Sequence, residues 1–275
     1  MKKIGIWLCL SLYCLNAFAQ AKLEIVITEG VDSARPIGVV PFKWNGSGAM
    51  PGKISDVIRS DLTRSGKFNP LATDSLPQYP GTNADVNYSS WASTGADTIV
   101  VGSIEERGAD QYVVSYELID VLRGQMAGNK KSLSGGQLVP SQDHILSRGK
   151  LTISGRDFRA TAHRISDVIY EELTGTKGAF QTKIAYVIVK DREKEKLPYQ
   201  LIIADYDGEN ETRLLSSPEP LMSPSWSPDG EKLAYVSFEN KRPQIFIQGI
   251  YTMKRERITN FPGINGSPVF SPDGK

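Results

Sequence analysis

The sequence Pro224-Ser-Trp-Ser-Pro-Asp-Gly230 recurs as Pro268-Val-Phe-Ser-Pro-Asp-Gly274, a shift of 44 residues. A second pair of matching stretches, Gln200-Leu-Ile-Ile203 and Gln244-Ile-Phe-Ile247, has the same shift. A repeat of about 44 residues containing several short strands is typical of β-propeller blades, which are four-stranded sheets arranged around a central channel. We therefore predict an all-β propeller region over residues 178–275.

The repeated Ser-Pro-Asp-Gly has a mechanical explanation. Proline presets φ for a type I turn, Asp tolerates the next position, and Gly230 takes the positive φ that lets a strand begin at Lys232. The alternative is calcium binding by Asp229 and Asp273, but the clustered oxygen ligands of a calcium site are absent from the sequence around them. The pattern favours a turn, and we predict no metal site.

The number of repeats suggests an incomplete ring. Propellers usually have about 4 to 8 blades. Residues 178–275 contain two repeats and the opening of a third. We expect about two blades and the start of a third.

Residues 34–177 have a different pattern, which predicts a mixed α/β domain. Apolar residues at helical spacing predict a helix over 53–65 ended by Gly66, and a second helix from Phe158 to Leu173 ended by Gly175. Strands are predicted at 36–42, 97–104 and 111–121, the last two as a hairpin. We expect the connection at 176–182 to be cleaved first by a protease.

The first nineteen residues have the pattern of a secretory signal peptide. Lys2 and Lys3 precede an apolar stretch over 4–15, and Ala17-Phe-Ala19 follows. About 12 apolar residues are too few for the ~20 that span a bilayer. We predict cleavage after residue 19 and export to the periplasm. Both cysteines, Cys9 and Cys14, lie in this segment, so the exported chain would have no disulfide.

Composition excludes some classes of protein. The 275 residues are 40% hydrophobic and 23% charged, as in globular proteins. The formal charge of +1 falls to −1 when Lys2 and Lys3 are removed with the signal peptide. No basic excess is available for a nucleic-acid backbone, and nucleic acid is not an expected partner.

Motifs for catalysis or cofactor binding are missing from the sequence. A serine hydrolase needs Gly-x-Ser-x-Gly, and the nearest stretch, Ser132-Leu-Ser-Gly-Gly136, lacks the first glycine. His144 and His163, the only histidines, lack zinc-site spacing, and no phosphate-binding glycine motif occurs. We predict no catalytic residue, cofactor or metal. The alternative is a propeller-bearing serine peptidase or esterase whose catalytic domain lies outside this sequence.

Several local sequences together resemble the TolB family. They are Gly30-Val-Asp-Ser-Ala-Arg-Pro-Ile-Gly-Val-Val-Pro-Phe42, Thr161-Ala-His-Arg-Ile-Ser-Asp167, Leu173-Thr-Gly-Thr-Lys-Gly-Ala-Phe180, Ile184-Ala-Tyr-Val187 and Trp226-Ser-Pro-Asp-Gly230. The resemblance implies a non-enzymatic periplasmic adaptor of the Tol-Pal system, with an α/β domain followed by six blades. It also implies roles in outer-membrane integrity and in envelope constriction at cell division.

The resemblance implies that residues 20–33 bind the inner-membrane protein TolA. Leu23, Ile25 and Ile27 alternate with polar or smaller residues, as in a strand that can join a partner's sheet. From the residues alone, an ordinary edge strand of the α/β domain is the simpler interpretation. The expected contact residues are Lys22, Leu23, Glu24, Ile25, Val26, Ile27, Thr28, Gly30, Val31 and Asp32.

The resemblance also implies that the peptidoglycan-associated lipoprotein Pal binds at one mouth of the propeller, where the connections between blades converge. An ordinary inter-blade turn is the alternative for each position. The expected contact residues are Pro220, Met222, Gly263, Ile264, Asn265, Gly266 and Ser267.

Overall fold

The computed structural model describes residues 34–127, 131–134 and 137–274. The predicted signal peptide, 1–19, and the predicted TolA-binding segment, 20–33, lie outside the described residues. Residues from Ala34 onward belong to one compact unit. We call residues 34–174 the α/β part and residues 183–274 the blade part. The predicted domain boundary after residue 177 stays a prediction.

A mixed sheet forms the centre of the α/β part. The strands of this part are β1 (Arg35–Val39), β2 (Lys43–Asn45), β3 (Phe68–Pro70), β4 (Thr98–Gly108), β5 (Gln111–Asp120), β6 (Lys131–Ser134), β7 (Gln137–Pro140) and β8 (Ile145–Ser154). The order in the sheet is β3-β1-β4-β5-β8, with β2 also paired to β4. Pairings among β1 to β4 are parallel, and β4, β5 and β8 run antiparallel. Strands β6 and β7 pair separately.

The β4–β5 hairpin confirms the strands predicted at 97–104 and 111–121. Asp110, in the turn, has φ 55°, a left-handed conformation that Asp tolerates. Alternate residues of β4 enter different cores: Ile99 and Val101 lie in one, and Val100 and Ile104 in the other. This two-residue period explains why both faces of the sheet must be covered.

Four α-helices lie among the described residues of the α/β part: α1 (Ile54–Arg64), α2 (Tyr88–Ala92), α3 (Val121–Ala127) and α4 (Phe158–Thr174). The two long helices, α1 and α4, confirm the predicted ones. Gly66 and Gly175 follow them with φ of 68° and 74°, as expected of glycines that end helices. In the described part of the chain, no helix is both long enough and apolar enough to cross a membrane.

Strand β8 and the elements within 69–92 were not predicted from the sequence. Every residue of β8 is half-buried or exposed, because the strand lies at the sheet edge, and its sequence shows little apolar alternation. Trp91 of α2 is fully buried against Ile99 and Val101, and it covers the sheet face opposite to α1 and α4. A turn-rich sequence thus contributes the largest side chain of that second core.

The blade part consists of two antiparallel sheets among its described residues. The first contains β9 (Lys183–Val189), β10 (Tyr199–Asp205) and β11 (Thr212–Ser217), and the second contains β12 (Leu221–Trp226), β13 (Lys232–Ser237), β14 (Gln244–Gly249) and β15 (Arg255–Arg257). Both sheets are open. This architecture confirms the prediction of an α/β domain followed by an incomplete propeller.

The backbone repeats with the sequence. Ser223 and Ser267, 44 residues apart, have φ of 51° and 54°. Gly230 and Gly274, also 44 residues apart, have φ of 70° and 72°. Two equal pairs of left-handed residues at the same spacing are independent geometric support for the blade repeat.

The Ser-Pro-Asp-Gly turn forms as predicted. The Gly230 N–H donates to the Ser227 carbonyl over 2.9 Å. The Asp229 carboxylate accepts hydrogen bonds from the Ser227 hydroxyl, at 2.5 Å, and from the Glu231 N–H, at 2.9 Å. These bonds, that of Ser227 first, lower the pKa of Asp229. The carboxylate is engaged within its own turn, which supports the turn interpretation over the calcium one.

The two blade sheets share one apolar core. Leu201 and Leu214 come from the first sheet, and Leu221, Leu233 and Tyr235 come from the second. Trp226 packs against this core while half-buried. Adjacent blades therefore stabilise each other through the side chains between them.

Candidate functional site

The predicted TolA-binding residues, from Lys22 to Asp32, lie outside the described residues. That part of the site stays a prediction. The predicted Pal-binding residues are all described, and they form two groups.

The first group, Pro220 and Met222, lies at the beginning of β12. The Pro220 carbonyl accepts a hydrogen bond of 3.1 Å from the N–H of Phe238, which follows β13. Met222 is 51% exposed. An apolar side chain is thus presented to solvent at the end of the second sheet where β13 turns into β14.

The second group, 263–267, follows β15. Ile264 is 90% exposed, whereas the neighbouring Asn265 is buried. The Asn265 side-chain amide donates to the Phe261 carbonyl over 2.9 Å. Gly263 has φ 86° and permits the bend. In this loop the polar side chain of Asn265 is therefore buried, and the apolar side chain of Ile264 faces solvent.

The structure places both groups at the same end of the second sheet. Leu221 pairs with Ser237, and Ser237 pairs with Gln244. Gln244 donates to the side chain of Asn260 over 2.7 Å, just before the second group. Residues 264–267 also follow 220–223 by one repeat of 44. The two groups are equivalent positions in consecutive blades.

A further cluster, which the sequence analysis did not predict, lies where the α/β part meets the blade part. We call Asp61, His163 and Tyr206 the junction triad. The His163 Nδ1 lies 2.8 Å from Asp61 Oδ2, and the Tyr206 hydroxyl donates to Asp61 Oδ1 over 2.6 Å. Asp61 is fully buried and His163 is 2% exposed. The triad joins α1, α4 and the turn after β10.

Charged residues surround the triad. Asp207 accepts from Arg159, in a short contact, and from Arg64 over 3.4 Å. Asp205 lies 2.8 Å from the Lys183 amine and accepts from Asn210 over 2.6 Å. Burial by itself would raise the pKa of Asp205, but the hydrogen bonds from Lys183 and Asn210 outweigh it and lower the pKa. The Asp205 carboxylate is therefore held ionised by the groups around it.

Aromatic rings continue from the triad into the connection between the two parts. The Tyr206 ring packs edge-on against His163 and Phe180, with centroids 5.5 Å apart in each pair. The Phe180 N–H and the Gln181 amide both donate to Asp167 of α4 over 2.8 Å. Burial raises the pKa of Tyr206, and the hydrogen bond to Asp61 raises it further. The hydroxyl therefore keeps its proton and donates it to Asp61 in the hydrogen bond.

The connection is accordingly held more firmly than the sequence suggested. Phe180 is buried, and the Tyr206 N–H donates to the Thr182 carbonyl over 3.1 Å. Gly175–Lys177 form a continuous exposed stretch, and residues 181–184 form another. We expected protease cleavage over 176–182, and most of these residues are exposed, whereas Phe180 is buried.

The triad and its surroundings are poorly suited to hold a metal. Ligand atoms of Asp61, His163 and Asp207 lie within 4.8 Å of one another. Both oxygens of Asp61 already accept hydrogen bonds, and the Arg64 and Arg159 guanidinium groups occupy Asp207. A cation would have to displace a guanidinium group and would be repelled by the other. The arrangement suits a structural linkage.

One sequence signal could have revealed the triad. Asp61 lies on the helical face that also carries Ile58 and Leu62, and a carboxylate there must be buried beside a partner. His163 follows Arg159 by one helical turn, so both can face the same acidic turn. The turn itself, from Asp205 to Gly208, resembles any hairpin turn and carries no such signal.

His144, the other histidine, is a buried residue in a turn. Its ring packs edge-on against Tyr88, with centroids 5.5 Å apart. Burial lowers the pKa of His144, and burial with the nearby Glu117 charge raises the pKa of Tyr88 to about 12. These shifts favour the neutral forms, as expected of packing residues.

Two family models match this chain, and they correspond to its two parts. The family model for the TolB amino-terminal domain matches residues 23–127, and the model for the TolB beta propeller domain matches residues 170–275.

Curated relatives are similar over almost the whole chain. A Tol-Pal system protein TolB from Histophilus somni (strain 2336) is 46% identical over 259 residues, which cover 94% of this chain and 55% of the relative. One from Sodalis glossinidius is 46% identical over 247 residues, which cover 90% and 53%. The chain spans about half the length of these relatives.

A solved structure agrees. The crystal structure of TolB from Acinetobacter baumannii has a TM-score of 0.72 and 38% identity, over 88% of this chain and 53% of that one. The resemblance inferred from local sequences thus extends to both parts of the fold, and the chain belongs to the TolB family.

Proposed function

We propose that the chain acts in the periplasm as a non-enzymatic adaptor of the Tol-Pal system, binding TolA through residues 20–33 and Pal through the two loop groups. Two observations support the family context: one family model matches each part of the chain, and the curated relatives are named Tol-Pal system proteins. Such an adaptor would contribute to outer-membrane integrity and to envelope constriction at division.

The observation that carries the Pal proposal is the pair of exposed apolar side chains at one end of the second sheet. Ile264 and Met222 are 90% and 51% exposed, and the hydrogen bonds of Asn265 fix the loop beneath Ile264. A rigid loop that presents an apolar side chain loses little entropy on binding, which favours a role as an interface anchor.

The TolA proposal depends on the alternating segment. An extended segment with Leu23, Ile25 and Ile27 on one face can add a strand to the sheet of a partner. Gly30 supplies a flexible joint after it. If the segment has two arrangements, a ligand that prefers one of them shifts binding at the other site, and this coupling is reciprocal.

The Pal proposal is tested by calorimetry of the exported chain with soluble Pal. Ile264→Asp places an uncompensated charge in the interface, and we expect it to weaken binding by about 10-fold or more. Tyr251→Ser is the matched control, because Tyr251 is 78% exposed on the turn between β14 and β15, at the opposite end of the sheet. Equal Pal affinity in the parent and in Ile264→Asp would overturn the loop assignment.

A further inference from the structure

The acidic turn between β10 and β11 packs against α1 and α4 of the α/β part. The blade part supplies Asp205, Tyr206 and Asp207, and the α/β part supplies two bases, Arg64 of α1 and Arg159 of α4. Lys183 of β9 neutralises Asp205 from within the blade part. Each carboxylate of the turn meets at least one base. This charge complementarity fixes which surface the turn can dock on.

Beneath the turn lies the junction triad, in which Asp61 is hydrogen-bonded to His163 and Tyr206. Within the described part of the chain, Asp61 forms no ion pair with Lys or Arg, and its two oxygens accept from His163 and Tyr206. A buried carboxylate that loses a donor bears a desolvation penalty that no neighbour offsets. The Tyr206 hydroxyl is the one donor of the triad that comes from the blade part.

The covalent connection gives little additional restraint at its beginning. Gly175–Lys177 are exposed, and further along the connection Asp167 of α4 holds Phe180 and Gln181. The contacts at the junction are hydrogen bonds, ion pairs and aromatic ring contacts, whereas an apolar core joins the two blades. Interfaces between domains that can move relative to each other are likewise more polar than permanent ones.

We propose that the junction triad is a clasp: it fixes the blade part on the α/β part, and loss of the Asp61–Tyr206 hydrogen bond releases the blades to move about Gly175–Lys177. Asp61 and His163 act as positioning residues, with His163 holding the Asp61 carboxylate toward the hydroxyl. The clasp is independent of the identity of any partner, and so it goes beyond the proposed function.

The test measures the distance between the two parts. Both cysteines lie in the predicted signal peptide, so an exported chain accepts two unique spin labels, at Lys150→Cys on β8 and Glu256→Cys on β15, both exposed positions. Electron double resonance then gives the distance distribution. We expect one narrow distance in the parent and a broad or shifted distribution in Tyr206→Phe and in Asp61→Asn.

Tyr186→Phe is the matched control. The Tyr186 hydroxyl also donates to a carboxylate, that of Glu211, but entirely within the first blade. We expect it to leave the distance narrow. Protease cleavage at 175–177 should rise about 10-fold or more in Tyr206→Phe and stay unchanged in Tyr186→Phe, as expected for a lost hydrogen bond to a charged group.

Two results would overturn the clasp. The first is a distribution in folded Tyr206→Phe as narrow as in the parent. The second is equal broadening in Tyr186→Phe, which would indicate general loosening of the blades. If Asp61→Asn does not fold, Tyr206→Phe decides alone, since it removes only one hydroxyl.

Discussion

Replacing Leu201 with alanine tests whether the two blade sheets stabilise each other. Leu201 is fully buried, in the core that includes Leu221 and Leu233 of the second sheet. Truncating a buried leucine removes its transfer free energy and leaves a cavity between side chains that cannot fully collapse, which costs about 2–5 kcal/mol. Contacts from both sheets favour the upper half of that range.

The assay is urea unfolding of the exported chain, followed by circular dichroism and tryptophan fluorescence. Leu197→Ala is the control, since it makes the same chemical change at a side chain that is 45% exposed, where about 0.5 kcal/mol or less is expected. An unfolding midpoint for Leu201→Ala as high as that for Leu197→Ala would refute the shared core.

Three further predictions concern the helix end, the turn and the absence of catalysis. Gly175→Ala should destabilise the protein by about 1–2 kcal/mol, because φ is 74° there; an unchanged melting temperature would contradict the assigned helix end. Ser227→Ala should raise the pKa of Asp229 toward its usual value in a carboxyl NMR titration. In the parent the lowered folded pKa means that Asp229 stabilises the protein above about pH 4 and loses that contribution as the pH falls through its folded pKa; a titration unaffected by Ser227→Ala would remove the hydroxyl as its cause. A broad esterase and peptidase screen should detect no turnover, and activity abolished by a single serine substitution would favour the hydrolase alternative.

The elements with a strong local signal were predictable from the sequence. The Ser-Pro-Asp-Gly repeat encodes a turn through proline and glycine geometry, and the same φ recurs at Gly230 and Gly274. The two long helices carry apolar periodicity and a terminal glycine. Strand β8 was missed because the pattern of an edge strand depends on its neighbours in the sheet, which a local reading of the sequence does not contain.

The junction was not predictable for a related reason. Asp61 and Tyr206 are 145 residues apart in the chain, and their contact exists only once the blade docks on the helices. The loop positions at Met222 and Ile264 came from a family resemblance, and the structure adds their exposure and their location at one end of the second sheet. Periodicity specifies which face of an element is buried but not which polar side chains meet across domains.

The most direct test of the adaptor proposal is calorimetry with TolA, using the exported chain and a version lacking residues 20–32. We predict that the deletion abolishes TolA binding while Pal binding persists, altered only by the coupling between the sites. TolA binding that is undiminished by the deletion would contradict the account and leave the segment as an ordinary edge strand.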